Sequence, residues 1–242
     1  MRFVFIILLM TQIAWAREDK RITGTVYWNN KLSFGFTTTG GNSDTLNFNG
    51  GLQINRNKLW VDEWTFQSEF RYGTDKERIS TEKASASLRY AISLTRSFYN
   101  FYRVLISHDY MAKEKIRITP TGGIGYWFFD RPAPVLRMMG EIGGGYSKYY
   151  LKDNSEEDDI LLQVRGFFEW ALSGPFLMGE NIYMYPAMGR NRNLIQSKTY
   201  LEININDRLS NSYIYEIDYN SNPPEGVKKS DRILIISLEW IF

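Results

Sequence analysis

Cysteine is absent from the 242 residues. No disulfide, lipid-modified cysteine, thiolate metal site or cysteine nucleophile can therefore form. An oxidising compartment is allowed but not required. An excess of either charge is also lacking: 29 Lys and Arg stand against 27 Asp and Glu, a formal net charge of +2. That balance gives no electrostatic case for a nucleic-acid partner. Histidine occurs once, at His108. No phosphate loop, metal-spaced cluster or hydrolase elbow is present, so no cofactor, metal or catalytic residue is assigned. After residue 16 no apolar run approaches the ~20 residues of a membrane-crossing helix.

The first residues do carry a short apolar run. Arg2 supplies a positive start, Phe3–Met10 is unbroken hydrocarbon and aromatic, and Ala14-Trp15-Ala16 is a small-x-small site. This order predicts a cleaved secretory signal over 1–16 and a mature domain over 17–242. An anchor helix would need a longer run.

The chain is rich in Tyr, Phe and Trp, together 16% of its residues. Beyond the leader it alternates apolar and polar residues at period 2, as in Trp64–Tyr72, Leu46–Asn55, Leu201–Asn206 and Tyr213–Tyr219. Successive side chains of a strand face opposite sides, so each segment has one greasy and one polar face. Segments of roughly 10 such residues separated by turns are the mark of a transmembrane barrel. About twelve are legible, near 25–37, 44–56, 60–72, 82–93, 98–109, 115–127, 135–149, 160–171, 176–187, 194–206, 211–221 and 231–242. The fold predicted is all-β: a closed antiparallel transmembrane barrel of about 12 strands. Its site would be the outer membrane, with outer-membrane lipid as its surroundings.

The connections alternate in kind. Thr38–Ser43, Gly73–Ser80, Met111–Glu114, Lys152–Asp159, Gly189–Asn193 and Asn222–Ser230 are polar and charged. Asn57–Leu59, Leu94–Ser97, Asp130–Pro134, Leu172–Pro175 and Asp207–Ser210 are tight. A periplasmic N-terminus puts the first set outside and the second inside. Tyr27, Trp28, Trp60, Tyr72, Tyr90, Tyr126, Trp127, Tyr149, Tyr150, Trp170, Tyr219 and Trp240 lie near segment ends and suit interfacial girdles. The last strand alternates through Leu238, Trp240 and Phe242, an ending that looks like the signal read by the outer-membrane assembly machinery.

Parity assigns the lumen-lining face. Its bases are Lys31, Arg71, Arg89, Arg103, Arg117, Arg137, Arg165 and Lys198. Its acids are Glu63, Glu69, Glu141, Glu169, Glu202, Glu216, Asp218 and Glu239. Two uses are open: a channel wall for a small polar solute or ion, or Arg–carboxylate pairs that fill the interior. Twelve strands lie between the filled barrels of about 8 and the aqueous ones of 16–18. Gly123, Gly125, Gly143 and Gly145 also face inward, either as a ligand groove or as relief for crowding and curvature, the second being favoured. Ser107, His108 and Asp109 are adjacent on a strand, so they cannot meet as nucleophile, base and orienting acid within it.

Thr39-Gly40-Gly41-Asn42-Ser43-Asp44-Thr45 reads physically as a hairpin tip. This motif, with Gly122–Tyr126, Glu141–Tyr146 and Pro224-Glu225-Gly226 ahead of Asp231 and Phe242, resembles the YdiY-like family of salt-induced outer-membrane proteins. The resemblance spans nearly all of the mature chain. It implies a barrel in the outer membrane, and it implies no catalytic residue or substrate. The functions that fit are a narrow channel or envelope-maintenance barrel, a structural or interaction barrel without a pore, and a lipid-acting enzyme. The third needs a partner for His108 from another strand, and a non-enzymatic role is favoured.

Overall fold

The computed structural model describes residues 26–39, 45–75, 78–110, 112–129, 136–172, 174–188, 192–223 and 228–242. The signal segment, the hairpin tip at 40–44 and the Pro224–Gly226 motif lie outside them.

Period-2 alternation becomes twelve strands: β1 (Val26–Thr39), β2 (Thr45–Lys58), β3 (Asp62–Asp75), β4 (Arg78–Ser93), β5 (Phe98–Asp109), β6 (Glu114–Phe129), β7 (Leu136–Leu151), β8 (Glu156–Ala171), β9 (Phe176–Met188), β10 (Asn193–Asn206), β11 (Leu209–Asn220) and β12 (Ser230–Ile241). Each pairs antiparallel with its chain neighbours, and β12 pairs with β1 to close the ring. Closure leaves no strand edge unpaired, which is the condition for crossing hydrocarbon with a sheet. Register shifts occur near strand ends, as at Gly73/Thr74 and Trp127/Phe129. There a bulge costs little pairing.

Two expected loops are corrected. β4 begins at Arg78 and β8 at Glu156, so most of Gly73–Ser80 and half of Lys152–Asp159 is strand. At β8 the physical reason is pairing. Glu156 accepts from Lys148 at 2.7 Å, and Glu157 and Asp159 accept from Arg192 at 2.7 and 3.2 Å. Charged side chains with partners on neighbouring walls extend a sheet as well as apolar ones do. The connections at this charged end are consequently short, 221–229 being the longest. The difference between the two ends is thus one of charge more than of length. In 152–155 the Ser155 amide and hydroxyl donate to Asp153 at 2.9 and 2.6 Å, which holds its carboxyl below the usual range. Asn154 takes φ 65° in that turn.

The outward face is apolar and exposed, carried by Phe34, Phe36, Leu88, Ile106, Ile124, Ile142, Ile160 and Leu234. Lipid satisfies these groups as water cannot. Trp28, Tyr72, Tyr126, Trp170 and Trp240 are exposed near strand ends, as girdle residues should be. Trp127 and Tyr149 are corrections: both point inward. Trp127 packs against the buried Ala91, Tyr99 and Phe101, and Tyr149 is 2% exposed. Their odd positions share the inward parity of Arg117 and Arg137, and parity outweighs closeness to a strand end.

The glycines of β6 and β7 stand where side chains would be crowded. A Cβ on Gly123 would sit 2.2 Å from the Ile142 carbonyl, and one on Gly143 would sit 2.4 Å from that of Gly122. A Cβ on Gly125 would meet the Tyr99 ring at 2.2 Å. The space a groove would need is occupied by Tyr99 and by Phe101, which lies over Gly143. The crowding-relief alternative holds.

Candidate functional site: the barrel interior

One wall of the interior, from β10 through β12 and β1 to β4, is ionic. Arg71 on β3 donates to Glu216 on β11, with β2, β1 and β12 lying between. Lys198 on β10 reaches Glu69 on β3 and, at 2.9 Å, Glu216. Lys83 on β4 donates to Asp218 on β11 and lies 3.8 Å from Asp109. Lys31 bridges Glu202 at 2.5 Å and Glu239 at 3.1 Å. Ser212 donates to Glu239 at 2.7 Å. Strands so far apart around the ring can touch only through the interior. Arg71–Glu216, Lys198–Glu69, Lys83–Asp218 and Lys31–Glu202 therefore cross it, and the other pairs join adjacent strands.

The other wall, β5 to β9, is aromatic, and its bases are arginines. The Arg103 guanidinium lies 4.6 Å from the Tyr183 ring centre and donates to the Tyr185 hydroxyl at 2.8 Å. Arg165 faces Tyr183 at 4.9 Å, donates to Asn181 at 2.9 Å and lies 3.4 Å from Glu141. Arg137 covers Trp127 at 5.0 Å and stands 3.5 Å from Glu169, which also accepts from Tyr200 at 2.7 Å. Arg117 lies 5.9 Å from the Tyr149 ring, 3.7 Å from Glu114 and 3.2 Å from the Ser107 hydroxyl. Arg89 on β4 closes this wall by donating to Glu141 on β7, which also accepts from Tyr99 at 2.9 Å. A planar guanidinium stacks on rings as an ammonium does not.

One cavity lies at each end of the interior, and the two share no lining residue. The cavity at the charged end is about 80 Å³ and is lined by Lys83, Arg117, Thr119, Ser147, Tyr185 and Asp218, among others. The one at the turn end is about 30 Å³ and includes Trp60, Glu63, Arg89, Arg96, Tyr99 and Trp127.

Each Arg and Glu that parity assigns inward thus has a partner across or along the interior. Lys83, Glu114, Asp159, Arg192 and Gln163 are interior residues that the parity assignment missed. Lys83 has the inward parity of Arg89 on the same strand, so a signal for it exists. Arg192 sits in a connection, where parity has no meaning. Leu238, Trp240 and Phe242 face outward and are exposed, Leu238 opposite Phe34 and Trp240 opposite Leu32 at the closing seam. His108 Nδ1 lies 2.9 Å from the Lys115 carbonyl, and its Nε2 is 3.9 Å from Glu82. Ser107 faces inward, 5% exposed, and accepts from Arg117. The two side chains diverge.

A closed ring with a lipid-compatible exterior and a polar interior defines an outer-membrane-type transmembrane β-barrel. The family described as "Protein of unknown function, DUF481" matches residues 32–242, and the chain belongs to it. It is similar to "Uncharacterized protein YdiY" of Escherichia coli (strain K12), 24% identical over 215 residues that cover 86% of this chain and 81% of that one. Among solved structures, a NanC porin aligns with a TM-score of 0.52 at 10% identity, over 88% of this chain and 99% of its own. The translocator domain of the autotransporter NalP from Neisseria meningitidis gives 0.48 at 9% identity, over 98% and 96%. At 10% identity the likeness to the NanC porin speaks for the fold alone.

Proposed function

We propose that the protein is a narrow channel of the outer membrane, closed to ions at rest by side chains that cross its lumen. The observation that carries this is the set of pairs joining strands four or five places apart around the ring: Arg71–Glu216, Lys198–Glu69 and Lys83–Asp218. An ion entering at the charged end meets balanced, mutually satisfied charges, and has no excess of one sign to bind. The NanC relative in fold is called a porin, and a pore of that kind needs this lumen cleared. Export through a cleaved leader at 1–16 and recognition of Leu238, Trp240 and Phe242 by the assembly machinery complete the proposal. The charged end then faces outward.

The test is conductance of the refolded protein in planar bilayers at high salt. The wild type is expected to be silent or to open briefly. Joint replacement Arg71→Ala with Lys198→Ala is expected to produce discrete, lasting steps. Steady conductance of the wild type, unchanged by that pair, would overturn the closed state. Silence of the folded double variant would favour a structural barrel without a pore.

A further inference from the structure

The charge balance of the interior does not hold at its turn end. Lys58 closes β2, Asp62 opens β3, and 59–61 form a tight turn between them. The Val61 amide donates to the Lys58 carbonyl at 2.8 Å, and Trp60 takes φ 60°. A bulky side chain rarely adopts that left-handed backbone, so its surroundings must hold it there. The Arg96 guanidinium, from the connection between β4 and β5, lies 4.6 Å from the Trp60 ring centre. The Ser93 amide ties the two turns together by donating to the Val61 carbonyl at 2.9 Å, and the Trp127 amide donates to the Ser97 carbonyl at 2.9 Å. These turns frame the smaller cavity.

Its charged lining is Lys58, Arg89 and Arg96 against Asp62 and Glu63. Both acids are engaged. Asp62 accepts from Arg56, which lies outside the lining, at 2.7 Å. Glu63 accepts from Asn55 and Thr65, each at 3.0 Å, and lies 3.7 Å from Arg89. The bases keep donors to spare. Neither Lys58 nor Arg96 pairs with a carboxylate among the described residues. Arg89 is 9% exposed, and its terminal nitrogens face Glu141 and Glu63. Its Nε is buried and has no hydrogen-bond partner among the described residues. Glu141, moreover, is shared with Arg165.

A buried charged donor left without an acceptor is costly, and native proteins supply one. A water would serve the Nε, but it would leave the charges of Lys58 and Arg96 uncompensated. The cavity of about 30 Å³ exceeds the about 10–15 Å³ that one water takes, and it has no room for an organic body. Trp60, Tyr99 and Trp127 line the remainder with rings, which strengthen an ionic attraction by keeping water away.

We propose that this cavity binds one small inorganic monoanion of the size of chloride, held by the Arg89 Nε and by the side-chain charges of Lys58 and Arg96. The site lies in the turn-end mouth, and its occupancy does not depend on whether the lumen conducts.

The experiment titrates the refolded barrel, in an uncharged detergent, with sodium chloride. Gluconate, too large for the cavity, keeps the ionic strength constant. The width of the chloride magnetic-resonance line reads binding. The wild type is expected to add a saturable excess width that bromide displaces. Arg89→Lys keeps the charge but removes the Nε donor, and is expected to weaken binding about tenfold, as loss of a hydrogen bond to a charged group does. Arg96→Gln is expected to weaken it about threefold, the share of one exposed ionic contact. Heat-modifiable gel mobility shows that each variant is folded. If Arg89→Lys does not fold, joint Lys58→Gln with Arg96→Gln carries the test, with a loss of about tenfold expected from two such contacts. A wild type without saturable excess width would overturn the site and leave a cavity filled by water. Excess width kept in full by the folded variants would place the chloride elsewhere and overturn it equally.

Discussion

The two walls of the interior solve one packing problem with different chemistry. From β5 to β9 the lumen is filled by rings: Tyr99, Phe101, Trp127, Tyr149, Tyr183 and Tyr185, with guanidinium groups laid over or beside several of them. Gly125 and Gly143 make this possible, because Tyr99 and Phe101 occupy the volume their side chains would take. From β10 round to β4 the inward positions are often small, such as Ser33, Gly35, Gly51, Ser212 and Ser237. Long side chains must reach across the space those leave. Lysines, with Arg71, serve there as partners for carboxylates, whereas the arginines of the ring-lined wall serve as flat plates. The difference shows that a charge-balanced lumen need not be uniform.

The largest effect is expected from the ionic wall. Glu216→Ala removes a shared partner of Arg71 and Lys198, leaving two interior cations short of one acceptor. Breaking one side of such a buried pair costs about 3–5 kcal/mol. Urea unfolding of the refolded barrel should read it, and a loss below that of an exposed-pair variant would show the interior to be well hydrated. Next comes the ring wall. Gly143→Ala places a methyl group against the Gly122 carbonyl and the Phe101 ring, an overpacking cost of about 1–3 kcal/mol in the same assay. An unchanged midpoint would mean that β6 and β7 part easily.

A smaller effect sharpens the comparison directly. Arg103→Lys keeps the charge but loses the face-on contact with Tyr183, about 0.5–2 kcal/mol. Lys198→Arg, on the other wall, should be the better tolerated of the two exchanges, since its partners are carboxylates. Equal losses would erase the distinction between plate and point charge. Smallest of all, Lys148→Ala at the exposed rim should leave the unfolding midpoint where it was, because its bridge to Glu156 is open to solvent.

Much of this architecture is legible in the chain. Alternation marks all twelve strands, and eight of the expected starts lie within one residue of the observed ones, including Phe98 and Phe176. Inward parity picks out Arg71, Arg103, Glu141 and Glu216, each of which has a partner across the interior. The misses have physical causes. Charged stretches at the β3–β4 and β7–β8 connections look solvated, because a sequence does not show that Glu157 and Asp159 meet Arg192. Trp127 and Tyr149 lie near strand ends, which suggests the membrane boundary, although their parity is inward. Gln163 carries no signal at all, since a lone glutamine on a polar face is ordinary until its surroundings are known to be dry.

The sequence by itself determined the strand count, the two faces of each strand, the closure of the sheet and the balance of charge. These stem from local periodicity and from the demand that lipid-facing backbone be hydrogen-bonded. Only the tertiary structure decided which acid meets which base, because Arg71 and Glu216 lie on strands brought together across the lumen by ring closure and register. It also decided that rings fill one wall and ion pairs span the other. That division depends on where glycines fall opposite aromatic residues of neighbouring strands, and such long-range pairings have no local signature.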